Sequence, residues 1–169
     1  MIPGLIVIDV QTAAFEATAA PKHDAAGTIA RINRLAQAVR AANGSVLFVQ
    51  HDGPPGDAFQ PGAPGWQLWP ALDRKPDDLV VRKTACDSFL GTTLDATLHD
   101  RAIDQLIITG WATDYCVDTT VRAALARVES EMLKNHLNHC IEGAIVSGNA
   151  NEQRKKAGEL IELLDRATR

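Results

Sequence analysis

Six residues near the start of the chain constrain its fold more than any other feature. Residues 5–10 read LIVIDV, a run of aliphatic and β-branched side chains broken only by Asp9. A strand with one solvated face alternates apolar and polar residues. This one has no face to give to water, so it belongs inside a parallel sheet covered on both sides by helices. Asp9 is the anomaly: a carboxylate at the end of a buried strand.

The rest of the chain supplies the layers such a strand needs. Over residues 24–43, Ile29, Ile32, Leu35, Ala36 and Val39 recur at helical spacing, with Asn43-Gly44 as the stop. Residues 45–50 (SVLFVQ), 79–82 (LVVR) and 105–109 (QLIIT) predict three further strands, with a short helix over 92–100 before the last. From residue 118, Val121, Leu125, Val128 and Met132 fall on one stripe, which predicts a helix running past Asn135. Residues 140–147 predict a last short strand, and 151–167 a terminal helix with Ala157, Leu160, Ile161 and Leu164 inward. Strands alternating with helices imply right-handed crossovers, hence an α/β chain with a three-layer αβα, doubly wound, mainly parallel sheet. The 169 residues, with no repeat, low-complexity tract or linker, read as a single domain over 1–169.

Several function classes are disfavoured. No apolar stretch approaches the roughly 18–20 residues that cross a bilayer, and the start MIPGLIVIDVQ has no basic region, so neither a membrane partner nor secretion is expected. Three cysteines, Cys86, Cys116 and Cys140, are an odd number without CxxC spacing, which suits a reducing, cytoplasmic setting. A net charge of -4 without a Lys/Arg block lacks the footprint that phosphate backbones require, so nucleic acid is not an expected partner. A small-molecule substrate and self-association into a homo-oligomer are expected instead.

In open parallel sheets, ligands bind beyond the carboxyl ends of the strands. Asp9 closes the first strand, Lys83 the third, and Cys116 follows the fourth in ITGWATDYC. Taken singly, each has an ordinary reading, as a structural acceptor, a solvated edge residue and a core thiol. Together they form a nucleophile with an acid/base and a cation: Lys83 and a helix N-terminus would favour the Cys116 thiolate, and Asp9 would move its proton. Residues 51–78 form a long Pro/Gly-rich loop whose Phe59, Trp66 and Trp69 can cover a cleft. Phe15, Trp66, Trp69, Trp111 and Tyr115 are candidate pocket residues, with packing or subunit contact as the competing role. His136, His139 and Cys140 share helical spacing, but a structural zinc site wants a fourth ligand that the neighbouring sequence lacks, so no metal is expected. The glycines of the loop precede no helix and make no phosphate-binding fingerprint.

The segments LIVIDVQ, DLVVRKTACDSFLGTTLD and ITGWATDYCVDTTVRAA resemble the three signature stretches of the isochorismatase-like cysteine hydrolases, which include nicotinamidases and N-carbamoylsarcosine amidohydrolase. The likeness covers about residues 4–127, and each segment carries one member of the family's Asp-Lys-Cys triad in order. It implies a Rossmann-like isochorismatase fold, Asp9 as the proton-transfer residue, Lys83 as the thiolate-stabilising cation and Cys116 as the nucleophile. It also implies a cis peptide at Trp111-Ala112 and an oxyanion hole from the backbone N–H groups of Ala112 and Cys116. The implied reaction is C–N hydrolysis of a small amide or ureide through a thioester, with no cofactor. Members that cleave isochorismate lack the cysteine. Nicotinamidases carry an Asp-x-His and a further His after strand two, whereas this chain has only His51-Asp52 before GPPGDAFQPGAPGW, which argues against a metal-dependent nicotinamidase. Beyond residue 127 the chain reads RVESEMLKNHLNHCIEGAIV, a departure from the family's pattern. That departure leaves two alternatives open, a non-catalytic oligomeric binding or scaffold protein and a thiol-based oxidant sensor.

Overall fold

The computed structural model describes residues 1–16, 24–128 and 141–144. Strands β1 (Pro3–Ile8), β2 (Ser45–His51), β3 (Leu79–Lys83), β4 (Gln105–Gly110) and β5 (Ile141–Ala144) form one sheet in the order β3-β2-β1-β4-β5, with every neighbouring pair parallel. All six residues of β1 are buried, as its composition requires of a central strand. The chain steps outward from β1 through β2 to β3, then returns to the other side of β1 with β4. The carboxyl ends of β1 and β4 therefore flank the point where the winding reverses, which is where open α/β sheets bind ligands.

Strand alternation divides the core in two. Leu5 and Val7 of β1, Val46 and Phe48 of β2 and Ile107 of β4 pack with Ile29, Ile32, Leu35, Ala36 and Val39 of helix α2 (Ala25–Ala41). Ile6, Ile8, Leu47, Val49, Val81, Leu106 and Ile108 point the other way, against Leu94 and Leu98 of α3 (Leu94–Asp100) and Ala124 of α4 (Asp118–Val128). Each fully buried Leu, Ile or Val contributes about 1.5–3 kcal/mol, so these two faces hold the three layers together.

The structure differs from the sequence reading mostly at the ends of elements. Strands β2, β3 and β4 each run one residue further, to His51, Lys83 and Gly110, because main-chain pairing outlasts the apolar alternation. A five-residue helix, Thr12–Glu16, follows β1 and is too short to show a periodicity. Cys116 does not open α4: it lies in a preceding π turn, Thr113–Val117, in which the Val117 N–H donates to the Ala112 carbonyl at 3.1 Å. The expected last strand is met by β5. The helix expected past Asn135, the terminal helix over 151–167 and the trio His136, His139 and Cys140 lie outside the described residues.

The long loop after β2 is fastened from beneath. Gln11 is fully buried; its Nε2 donates to the carbonyls of His51 (3.0 Å) and Trp66 (2.8 Å), and its Oε1 accepts the His51 N–H at 2.8 Å. No described helix is long and apolar enough to cross a membrane.

Candidate active site

Three strand ends deliver the three predicted residues to one place. Asp9 follows β1 with φ 52°, in the left-handed region that short polar side chains tolerate, and its N–H donates to the Val49 carbonyl at 2.9 Å. Gly110 closes β4 directly opposite Ile8 with φ 136°, and a Cβ there would run into the Ile8 carbonyl oxygen, so only glycine lets the two strand ends approach. The next peptide, Trp111-Ala112, is cis, and the π turn that follows carries Cys116.

Lys83 comes from β3, two strand spacings or about 10 Å from β1, a gap that only a long side chain can span. Its Nζ lies 2.7 Å from Asp9 Oδ2, 2.9 Å from the Ala85 carbonyl and 3.2 Å from Cys116 Sγ. Three acceptors use all three ammonium protons. The Lys83 side chain is 0% exposed and that of Asp9 7%, so this ion pair is out of water.

Burial pushes the Asp9 carboxyl above the usual range, and Lys83 opposes that shift. Burial also pushes the Cys116 thiol up to about 12, the Asp9 charge adding to the effect and Lys83 acting against it. The site thus holds a Lys83–Asp9 contact at 2.7 Å beside a thiol whose pKa is raised by burial. Lys83 lowers the Cys116 pKa, as expected of a neighbouring cation, but burial and the Asp9 charge outweigh it, and α4 begins only after the cysteine. Asp9 Oδ1 is buried without a hydrogen-bond partner.

These residues sit at a cleft of about 400 Å³, within the size range of small-molecule sites. Asp9, Ala112 and Cys116 line it, and of the five candidate pocket residues, Trp111 and Tyr115 do. The other three are placed elsewhere. Phe15 and Trp69 pack on each other against the α2 core, with ring centroids 5.4 Å apart. Trp66 lies under the Arg82 guanidinium at 4.4 Å and donates its Nε1–H to Asp52 at 2.9 Å. Asp52 also accepts from Arg82 Nε at 2.6 Å, so its carboxylate is engaged in a loop lock. Among the described residues, no group of three or more His, Cys, Asp or Glu side chains could hold a metal ion.

Of the other lining residues, Phe59 was expected as a loop aromatic able to cover a cleft, whereas His51, Thr84, Ala85 and Cys86 were not expected at the site. His51 had a signal, since it is a polar residue at the carboxyl end of a strand, the same rule that selected Asp9 and Lys83. Thr84, Ala85 and Cys86 had none, because the path of the loop after β3 decides their positions.

With the geometry in place, the chain can be set beside known proteins. The profile of the isochorismatase domain matches residues 3–127, well over half of the chain. This chain belongs to the isochorismatase domain family. A streptothricin hydrolase from Streptomyces noursei is 37% identical over 124 residues, covering 73% of this chain and 45% of that protein. The ureidoacrylate amidohydrolase RutB of Variovorax paradoxus (strain S110) is 30% identical over 177 residues, covering 84% of this chain and 70% of that protein. The chain spans about half the length of the streptothricin hydrolases it matches. A solved cysteine hydrolase from Pseudomonas syringae pv. phaseolicola 1448A superposes with a TM-score of 0.75 at 24% identity, covering 98% of this chain and 93% of that one. At that identity the likeness shows the fold, which is that of the isochorismatase family. A second profile, that of metal-sensitive transcriptional repressors, matches residues 112–166 and so spans both the departure after residue 127 and the His136, His139 and Cys140 trio.

Proposed function

We propose that this isochorismatase-family chain is a cysteine-dependent hydrolase that cleaves the C–N bond of a small amide or ureide through a thioester on Cys116. The observation that carries the reading is a single ammonium, Lys83 Nζ, within hydrogen-bonding distance of both Asp9 Oδ2 (2.7 Å) and Cys116 Sγ (3.2 Å), two residues that line a cleft. Two relatives, a streptothricin hydrolase and a ureidoacrylate amidohydrolase, support the same class of reaction.

Asp9 takes the thiol proton as Cys116 Sγ attacks the carbonyl carbon, and Lys83 offsets the charge that develops on sulfur. The backbone N–H groups of Ala112 and Cys116 serve as donors to the carbonyl oxygen as it becomes an oxyanion. Asp9 returns its proton to the departing nitrogen as the C–N bond breaks. It then deprotonates a water that attacks the thioester, releasing the acid and restoring the thiol. A raised Asp9 pKa fits this work, because a base that must later act as an acid is most effective when its pKa lies near the working pH.

The oxidant-sensor alternative is weakened by the same electrostatics. Peroxide attacks thiolates, and this sulfur is half-buried and protonated. We place the enzyme in a reducing, cytoplasmic setting, where Cys86 and Cys116, both free, remain thiols.

The test is ammonia release from a panel of N-carbamoyl amino acids and primary carboxamides, with Cys116→Ala as control. Turnover in the wild type that vanishes in the variant, together with a wild-type acyl-enzyme mass adduct at Cys116, is expected. Equal turnover in both proteins would overturn the reading.

A further inference from the structure

His51 lines the candidate active site, yet none of the proposed catalytic steps uses it. It ends β2, between the strands that carry Asp9 and Lys83, and is in register opposite Lys83. Strand alternation sets it on the same face as Leu47 and Val49, the face against which Cys116 packs. Its imidazole lines the cleft together with Asp9 and Cys116, near enough that its charge would bear on the Asp9 carboxylate.

The ring is also held in advance. Gln11 clamps the main chain of His51 at both its N–H and its carbonyl. The imidazole meets the ring of Phe59 edge to face, centroids 5.9 Å apart at 75°. Phe59 is fixed in turn: its carbonyl accepts the Gly53 N–H at 2.9 Å and its own N–H donates to Asp57 Oδ1 at 2.7 Å.

His51 Nδ1 is buried and has no hydrogen-bond partner in the described structure. Buried polar atoms are nearly always paired, so each exception asks for an explanation. Besides Asp9 Oδ1 and His51 Nδ1, the only such side-chain atoms among the described residues are Arg40 Nη1 and Thr113 Oγ1. Two of these four atoms thus belong to residues that line the cleft, its proton-transfer residue and one imidazole.

We propose that His51 is a substrate-binding residue whose imidazole hydrogen-bonds the second nitrogen of a ureide, setting its preference for ureides over simple amides. This rests on the hydrolase reading above. A ureide carbonyl carries two nitrogens, so when one leaves, the other can be held by a fixed polar group while Cys116 attacks. A simple amide offers no such atom, and a site built to bond a polar group discriminates against an analogue that lacks it.

The experiment compares an N-carbamoyl amino acid with a carboxamide of matching length in wild type, His51→Phe and His51→Gln. Phenylalanine keeps the packing on Phe59 and removes the hydrogen bond; glutamine restores a polar group. His51→Phe is expected to lower the ureide-to-amide preference in kcat/KM about five- to tenfold, mainly through KM for the ureide, with partial recovery in His51→Gln. Equal losses on both substrates, or no loss on either, would overturn the proposal. A Cys116 labelling rate by iodoacetamide that matches wild type reports independently that the site is assembled in each variant. If the wild type turns over neither substrate, the hydrolase reading fails on its own, and calorimetry with the ureide then decides about His51. Weaker binding in His51→Phe supports the contact; equal or absent binding in both proteins overturns it.

Discussion

Two carboxylate–cation pairs lie close together in this molecule and have almost the same length, 2.7 Å for Asp9–Lys83 and 2.6 Å for Asp52–Arg82. Each carries a third partner, the thiol of Cys116 in one and the indole of Trp66 in the other. Their surroundings differ. The Asp9 and Lys83 side chains are 7% and 0% exposed, whereas those of Asp52 and Arg82 are 21% and 43% exposed. In the buried pair, desolvation shifts Asp9 and the neighbouring thiol upward. In the exposed pair, water screens the charges, and the cluster does no more than tie the loop to the edge strand. On the proposed function, the same residue types serve chemistry in one pair and fastening in the other, according to how much water reaches them.

The largest effect that sharpens this contrast is catalytic. Asp9→Asn keeps the shape of the side chain and removes its basicity, and ureide hydrolysis is expected to fall about 10²–10⁴-fold, read as kcat/KM. Unchanged turnover would remove Asp9 from the reaction.

Stability separates the pairs next. Lys83→Met leaves Asp9 buried without its partner, and urea unfolding at neutral pH should show a loss of about 3–5 kcal/mol. That loss should shrink on acidification, because a protonated Asp9 no longer needs the cation. Arg82→Met, made at the exposed pair, should cost about 1 kcal/mol or less. Equal costs at neutral pH would break the comparison.

The smallest effect is on the pH dependence of thiol labelling. With the Cys116 pKa pushed up to about 12, its alkylation by iodoacetamide should climb steadily from neutral pH without a plateau below pH 10 or so, and the exposed Cys86 should label faster near neutrality. Asp9→Asn removes an adjacent negative charge, so its Cys116 should label faster than wild type at a given pH. Lys83→Met should do the reverse. A plateau near neutral pH in the wild type would mean that a thiolate rests in the site after all.

How far the sequence foretold these pairs depended on what each residue's role rests on. LIVIDV placed β1 at the centre of the sheet because a run with no polar face has nowhere else to go, and Asp9, Lys83 and Cys116 were found because each is a polar residue at a strand end. His51 satisfied the same rule at the end of β2, but it stood beside Asp52 and drew the question of a metal site instead. Trp66 and Trp69 looked like cleft residues because they are large aromatics on a long loop. Where they went was decided by Arg82, Asp52 and Phe15, contacts across the fold that no local pattern encodes. The family profile ends at residue 127, and the match to metal-sensitive transcriptional repressors runs on to residue 166, so the departure noticed in RVESEMLKNHLNHCIEGAIV coincides with a change in what the chain resembles.

By itself, the sequence determined the layers, the central strand and which three side chains stand at the carboxyl edge of the sheet, because burial periodicity and chain order are local properties. Only the tertiary structure decided that burial pushes the Cys116 pKa up, that His51 lines the same cleft and that Asp52 binds Arg82 and Trp66. Those outcomes depend on desolvation and on distances of a few ångströms between residues far apart in the chain, and these quantities exist only once the strands have been laid side by side.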